Sequence, residues 1–130
     1  MLTKEQIFGA FAHNVACADG NLDSSEIKRI ISVASANELD VDAVVEACKK
    51  ECENRSDLTE VVKQMTEDEK ELILFAAIRI AVADGKIAIK EIRRVHSFGE
   101  LFGWGPQYTT IEFVKQLKKD PSLLVEGVDF

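Results

Sequence analysis

Proline is almost missing from this chain, which has two, and no apolar stretch is long enough to cross a bilayer. Few prolines leave long helices free to run without interruption. The longest strongly apolar stretch, "LILFAAIRIAVA", is broken by Arg79 and falls short of a membrane span. The N-terminus "MLTKEQIF" lacks the basic segment and long apolar core of a secretion signal. Cysteines number three, Cys17, Cys48 and Cys52, so a disulfide framework is not expected, and reduced thiols in a cytoplasm are. Bases are also scarce. Sixteen Lys and Arg against 23 Asp and Glu give a net charge of −7, which repels nucleic-acid phosphates unless the bases gather on one face. Lys49-Lys50 and Lys118-Lys119 instead fall near expected helix ends, where they complement helix dipoles. The acid surplus favours cations or basic partners.

What is present is helical periodicity within a single domain, residues 1–130. Thr3 and Gln6 form a capping-box pattern with Leu2 and Ile7 as its hydrophobic staple, so a first helix starts near Thr3. Ile7, Phe8, Phe11, Ala12, Val15, Ala16 and Ala18 keep helical spacing, and Gly20 is placed to end that helix. A second helix runs from about Ser24 to Asn37 with Ile27, Ile30, Ile31 and Ala34 on one face. Asp40 caps a third through Val41, Val44, Val45 and Cys48, and a short fourth follows Asp57. Thr66 and Glu69 open a long fifth helix that buries Leu72, Phe75, Ala76 and Ile80 before Gly85. The sixth covers about Ala88 to Phe102. The seventh starts at Pro106, a residue suited to a first helical position, and runs to about Lys119. Strand signals are nearly absent, so the expected fold is an all-α bundle of about seven helices.

The stretch "ADGNLDSSEI" at residues 18–27 returns as "ADGKIAIKEI" at 83–92. An offset of 65 residues carries Ala16, Ala18, Asp19, Gly20, Glu26, Ile27 and Arg29 onto Ala81, Ala83, Asp84, Gly85, Glu91, Ile92 and Arg94. Leu39 then falls on Trp104 and Val41 on Pro106. The unit is three helices used twice, roughly 7–50 and 72–115. Two such units usually pack about a pseudo-twofold axis, an arrangement that brings the two "DG" turns together.

Each turn matches the second half of a calcium-binding EF-hand loop, with Asp19, Gly20, Leu22 and Glu26 at loop positions 5, 6, 8 and 12. The first half fails, because Val15 and Cys17, or Ile80 and Val82, stand where carboxylates belong. One half-loop has too few oxygens for calcium; two facing half-loops would have enough. The alternative is a plain turn, with glycine supplying a positive φ and the glutamate closing a capping box. Asp23 and Glu26 satisfy that reading in the first copy. In the second, Ala88 takes the cap position and Glu91 has lost its partner, which favours a carboxylate site made of Asp19, Glu26, Asp84 and Glu91, supplemented by Asn21 and Asp23.

An apolar helix, "A-D-G-x-[LI]-x-x-x-E-[IL]", a second apolar helix, a short turn and a third helix, all written twice, resemble the TerB-like domain. That family is named for tellurite-resistance operons and is similar to the N-terminal region of some membrane-anchored DnaJ-type cochaperones. The resemblance covers nearly the whole chain. It implies an all-helical fold of about seven helices and an acidic divalent-metal site, carried here to Asp19, Glu26, Asp84 and Glu91; two flexible turns supplying irregular oxygen coordination favour calcium there, with zinc or manganese as the other candidates. It also implies a role in stress-associated or membrane-linked complexes rather than a known reaction. Ala88-Ile89 depart from the pattern, where a polar pair would suit a symmetric site.

Other residues read as structural. Cys48 and Cys52, one helical turn apart, lack a nearby histidine pattern to complete a tetrahedral metal set. His13 and His96 are not equivalent under the offset and stand in no nucleophile signature. Trp104 aligns with apolar Leu39 and reads as a core plug, and the tail, residues 120–130, is too apolar to float and is expected to dock on the bundle. The functional expectation is therefore a non-enzymatic, cytoplasmic module with a protein partner, no nucleic acid and no membrane insertion. A purely structural interaction domain without metal is the first rival, and a metal-dependent hydrolase the second, for which neither copy of the motif holds a histidine as general base.

Overall fold

In the computed structural model four of the helices begin where a capping side chain meets the first turn. The backbone N–H of Thr3 donates to Gln6 Oε1 at 2.8 Å and that of Gln6 donates to Thr3 Oγ1 at 3.1 Å, closing the capping box ahead of α1 (Lys4–Ala16). Leu2 packs against the core, as the staple requires. Next come α2 (Ser24–Ala36) and α3 (Val41–Glu53), the latter capped by Asp40, whose carboxylate accepts from the Ala43 N–H at 3.2 Å. Asp57 does the same for α4 (Leu58–Val62) through the Thr59 N–H. Thr66 and Glu69 form the second reciprocal box, at 3.0 and 3.1 Å, for α5 (Glu67–Val82). The chain ends with β1 (Lys86–Ala88), α6 (Ile89–Leu101), α7 (Pro106–Lys119) and β2 (Leu124–Glu126). The structure describes all residues except 17–23, 83–85, 120–123 and 127–130; the expected Gly20 and Gly85 helix ends and the Asp23 cap lie outside the described residues.

Helices α2 and α6 end alike. After α2, the Leu39 N–H donates to the Ala34 carbonyl and the Glu38 N–H to that of Ser35, both at 3.1 Å. After α6, Trp104 donates to Gly99 at 2.9 Å and Gly103 to Glu100 at 3.0 Å. These are paired Schellman caps, and every residue of the second stands 65 positions after its counterpart in the first. The left-handed residue is Gly103 (φ 83°) in one and Glu38 (φ 60°) in the other. The bounds of α2 and α6 also coincide under that offset, as do the starts of α3 and α7.

One core joins both sets of helices. Phe11 of α1 meets the Phe98 ring of α6 edge-on at 4.9 Å, and Phe8, Val15, Ile30, Val44, Leu74, Ile78, Ile80 and Val95 are buried with them. α3 runs parallel to α1 and close against it: Asp40 N–H reaches Glu5, the Cys48 thiol reaches the Gly9 carbonyl, and Cys52 reaches His13. Gly9 permits this approach, since a Cβ there would stand 2.5 Å from that of Ala47.

α7 lies against α6, where Gly99 makes room for Thr109, but touches α5 only sparingly. The expectation that Leu72 and Phe75 are buried is corrected. Leu72 is 38% exposed and Phe75 only half-buried. The positions corresponding to Gly9 and Ala47 are Leu74 and Glu112, both buried, and this bulkier pair keeps α7 away from α5. Ile111 and Val114 consequently face solvent on α7. Trp104 is half-buried, stacked edge-on at 5.4 Å from Phe102. Two short strands, unforeseen in the sequence, pair in parallel, with Lys86, Ile87 and Ala88 opposite Leu124, Val125 and Glu126.

Candidate acidic site at the helix starts

The glutamates of the repeated motif occupy the first turns of α2 and α6, where the positive end of the helix dipole favours a carboxylate. Glu26 is 6% exposed and the Glu91 side chain 13%. Between them comes Arg29, one turn after Glu26 on α2. Its Nη1 donates to Glu91 Oε2 at 3.3 Å and to the Ile80 carbonyl at 3.0 Å. That carbonyl belongs to the last turn of α5, whose acceptors have no partner inside the helix. A single guanidinium therefore ties the end of α5 to the start of α6 from α2, complementing the negative end of one dipole and the carboxylate on the positive end of another.

Glu26 and Glu91 are thus gathered at one end of the bundle. Asp19 and Asp84, with Asn21 and Asp23, lie outside the described residues. Among the described residues no group of three or more His, Cys, Asp or Glu is placed to hold a metal ion. The two glutamates alone fall short of the six to eight oxygens that calcium takes. Asn14 Oδ1, in the last turn of α1, is buried without a hydrogen-bond partner. A hard cation's ligand set can use such an acceptor.

Two features escaped the sequence reading. Arg29 recurs as Arg94 in the repeat, which flagged it, but its role needs three helices in register to appear. Sequence spacing also hid a contact: α1 carries His13 to within 3.3 Å of the Cys52 sulfur, although among the described residues no tetrahedral metal set is completed there. Cys48 is buried and Cys52 exposed. Burial pushes the Cys48 thiol up to about 12, with smaller contributions from Cys52 and Glu51. Burial also holds the His13 imidazole below its usual value, aided by Arg55 and opposed by Glu51.

A family model described as "Tellurite resistance protein TerB" matches residues 7–116, so the chain belongs to the TerB family. No curated protein and no solved structure matches it. Among the described residues no helix is long and apolar enough to cross a membrane.

Proposed function

From that family membership, we propose that this chain is a non-enzymatic, cytoplasmic helical module that takes up a divalent cation on Asp19, Glu26, Asp84 and Glu91 and acts through a protein partner in a stress-associated complex. The observation that supports it most is the meeting of α2, α5 and α6 at Arg29, which gathers Glu26 and Glu91 of the two motif copies at one end. Calcium is preferred to zinc or manganese because two turns can offer many irregularly placed oxygens. When bound, the ion neutralises carboxylates that otherwise crowd one another. Arg29 performs part of that neutralisation without metal, so cation uptake requires Glu91 to exchange a guanidinium for the ion or to serve both with its two oxygens.

The same ion pair supports the second reading, a structural domain without metal in which Arg29 is the resident cation. Calorimetric titration with calcium, zinc and manganese separates the two. A bound ion at a hundredfold excess over its dissociation constant adds about 2.7 kcal/mol of stability. Asp84→Asn abolishes that gain and is neutral or stabilising without metal. Glu91→Gln also abolishes it, yet costs about 1–3 kcal/mol without metal because Arg29 loses its charged partner. Absence of binding heat for all three ions overturns the metal reading and leaves the structural one.

A further inference from the structure

The two described cysteines share one face of α3 and differ in almost everything else. The Cys48 sulfur is buried, directed at the Gly9 carbonyl 3.7 Å away, and its raised pKa keeps it protonated. Cys52 is an exposed residue whose sulfur lies 3.3 Å from Nε2 of His13, a residue only 4% exposed to solvent. An imidazole so buried is neutral near pH 7, because desolvation and Arg55 both disfavour its charged form. With its proton on Nδ1, the neutral ring presents a lone pair at Nε2 to the thiol. A nucleophile open to solvent, hydrogen-bonded to a fixed base behind it, is the arrangement that activates cysteine toward electrophiles. The pair supplies only two donors, short of a tetrahedral metal set.

We propose that Cys52 and His13 form a reactive-thiol site at which small hydroperoxides and soft carbon electrophiles modify the Cys52 sulfur. With a hydroperoxide, sulfur attacks the outer peroxide oxygen, the S–O bond forms as the O–O bond breaks, and His13 relays the thiol proton to the departing oxygen. The products are a sulfenic acid and an alcohol, or water from hydrogen peroxide. Sulfur is oxidised by two electrons and the peroxide reduced by two. Cys48 does not resolve the sulfenic acid in the folded chain, being buried and protonated, and reduction by an external thiol restores Cys52. Glu51 and Arg55, the charged groups acting on the imidazole, act in opposition as it gains the proton: Glu51 stabilises the imidazolium and Arg55 opposes it.

The test follows each cysteine separately by mass spectrometry, Cys17 included, during reaction with iodoacetamide. In native wild-type protein Cys52 is alkylated ~10-fold faster than the same residue in urea-unfolded chain, where a free thiol is only roughly a few per cent thiolate at pH 7, while Cys48 is protected. His13→Gln keeps a hydrogen-bond acceptor but cannot take the proton, and the Cys52 rate falls at least ~10-fold with the helical spectrum unchanged. Hydrogen peroxide followed by dimedone labels Cys52 as the sulfenic acid adduct, and Cys52→Ser removes that label. Equal Cys52 rates in native and unfolded wild type overturn the proposal even if the His13 variant fails to fold. A folded His13→Gln protein that reacts as fast as wild type overturns it as well.

Discussion

In the α1–α3 half of the molecule the third helix is pressed along the first at Gly9 and Ala47. In the α5–α7 half, Leu74 and Glu112 stand at the corresponding places and the third helix keeps its distance. The helix ends nevertheless agree, down to the hydrogen bonds of both Schellman caps. Ends are set by a few neighbouring residues, whereas seams depend on side-chain size across two helices, and one bulky pair is enough to change a seam while leaving the caps untouched. The turns differ in bulk too. Leu39 borders an open groove of about 190 Å³ with Ile7 and Leu72, while Trp104, its counterpart, packs between Phe102 and Tyr108.

The largest expected effect comes from severing the halves at their shared ring pair. Phe98→Ala should cost about 3–5 kcal/mol and still give one thermal transition, because Phe11 and Phe98 belong to the same core. Two transitions in calorimetry would make the halves separate folding units. Next is the seam. Gly9→Ala should cost about 1–3 kcal/mol in urea unfolding by forcing α3 off α1, and Ala47→Gly should recover part of the loss in a double-mutant cycle. If Gly9→Ala proves harmless, the tight seam is not what distinguishes the first half.

The caps should give smaller and opposite effects. Glu38→Gly relieves a left-handed non-glycine residue and should stabilise by about 0.5–1 kcal/mol, whereas Gly103→Glu should destabilise by about 1 kcal/mol. Equal signs for the two would show that the caps are not energetically alike. The smallest effect concerns His13. Its folded pKa lies below the ordinary 6.5, so the unfolded chain binds the proton first as pH falls. The stability associated with neutral His13 is complete above 6.5 and declines from there down toward the folded pKa. His13→Gln should flatten that part of the pH profile relative to wild type. Glu51, Arg55 and Cys52 act on the ring, and an unchanged profile would assign the slope to the acids.

Helix starts were legible because Thr3 with Gln6 and Thr66 with Glu69 write both halves of a local contact three residues apart. The seams were not, since Gly9 and Leu74 look alike to a periodicity that asks only which face a residue occupies. The burial expected of Leu72 failed for a related reason: its spacing was correct, but nothing in α5 reveals that this side of the helix borders an open groove with Ile7 and Leu39. At the candidate site, Glu26 and Glu91 could be paired from their offset alone. Arg29 could not, because its two acceptors, Ile80 and Glu91, come from helices more than fifty residues away along the chain. His13 and Cys52 are 39 residues apart in sequence and meet only because the parallel seam sets one helical turn of α1 against one of α3.

The small parallel pairing of β1 with β2 bears on the order of assembly. Parallel strands need a long crossover, and here α6 and α7 are that crossover. The two strands cannot find their register until both helices have formed and turned back, since closing so long a loop first would lose entropy without a compensating contact. Residues 86–88, immediately after the second "ADG", are therefore secured late in folding although their neighbours in α5 are secured early. Amide exchange should report this timing, with the backbone of 86–88 opening together with 124–126 and ahead of the helices on either side.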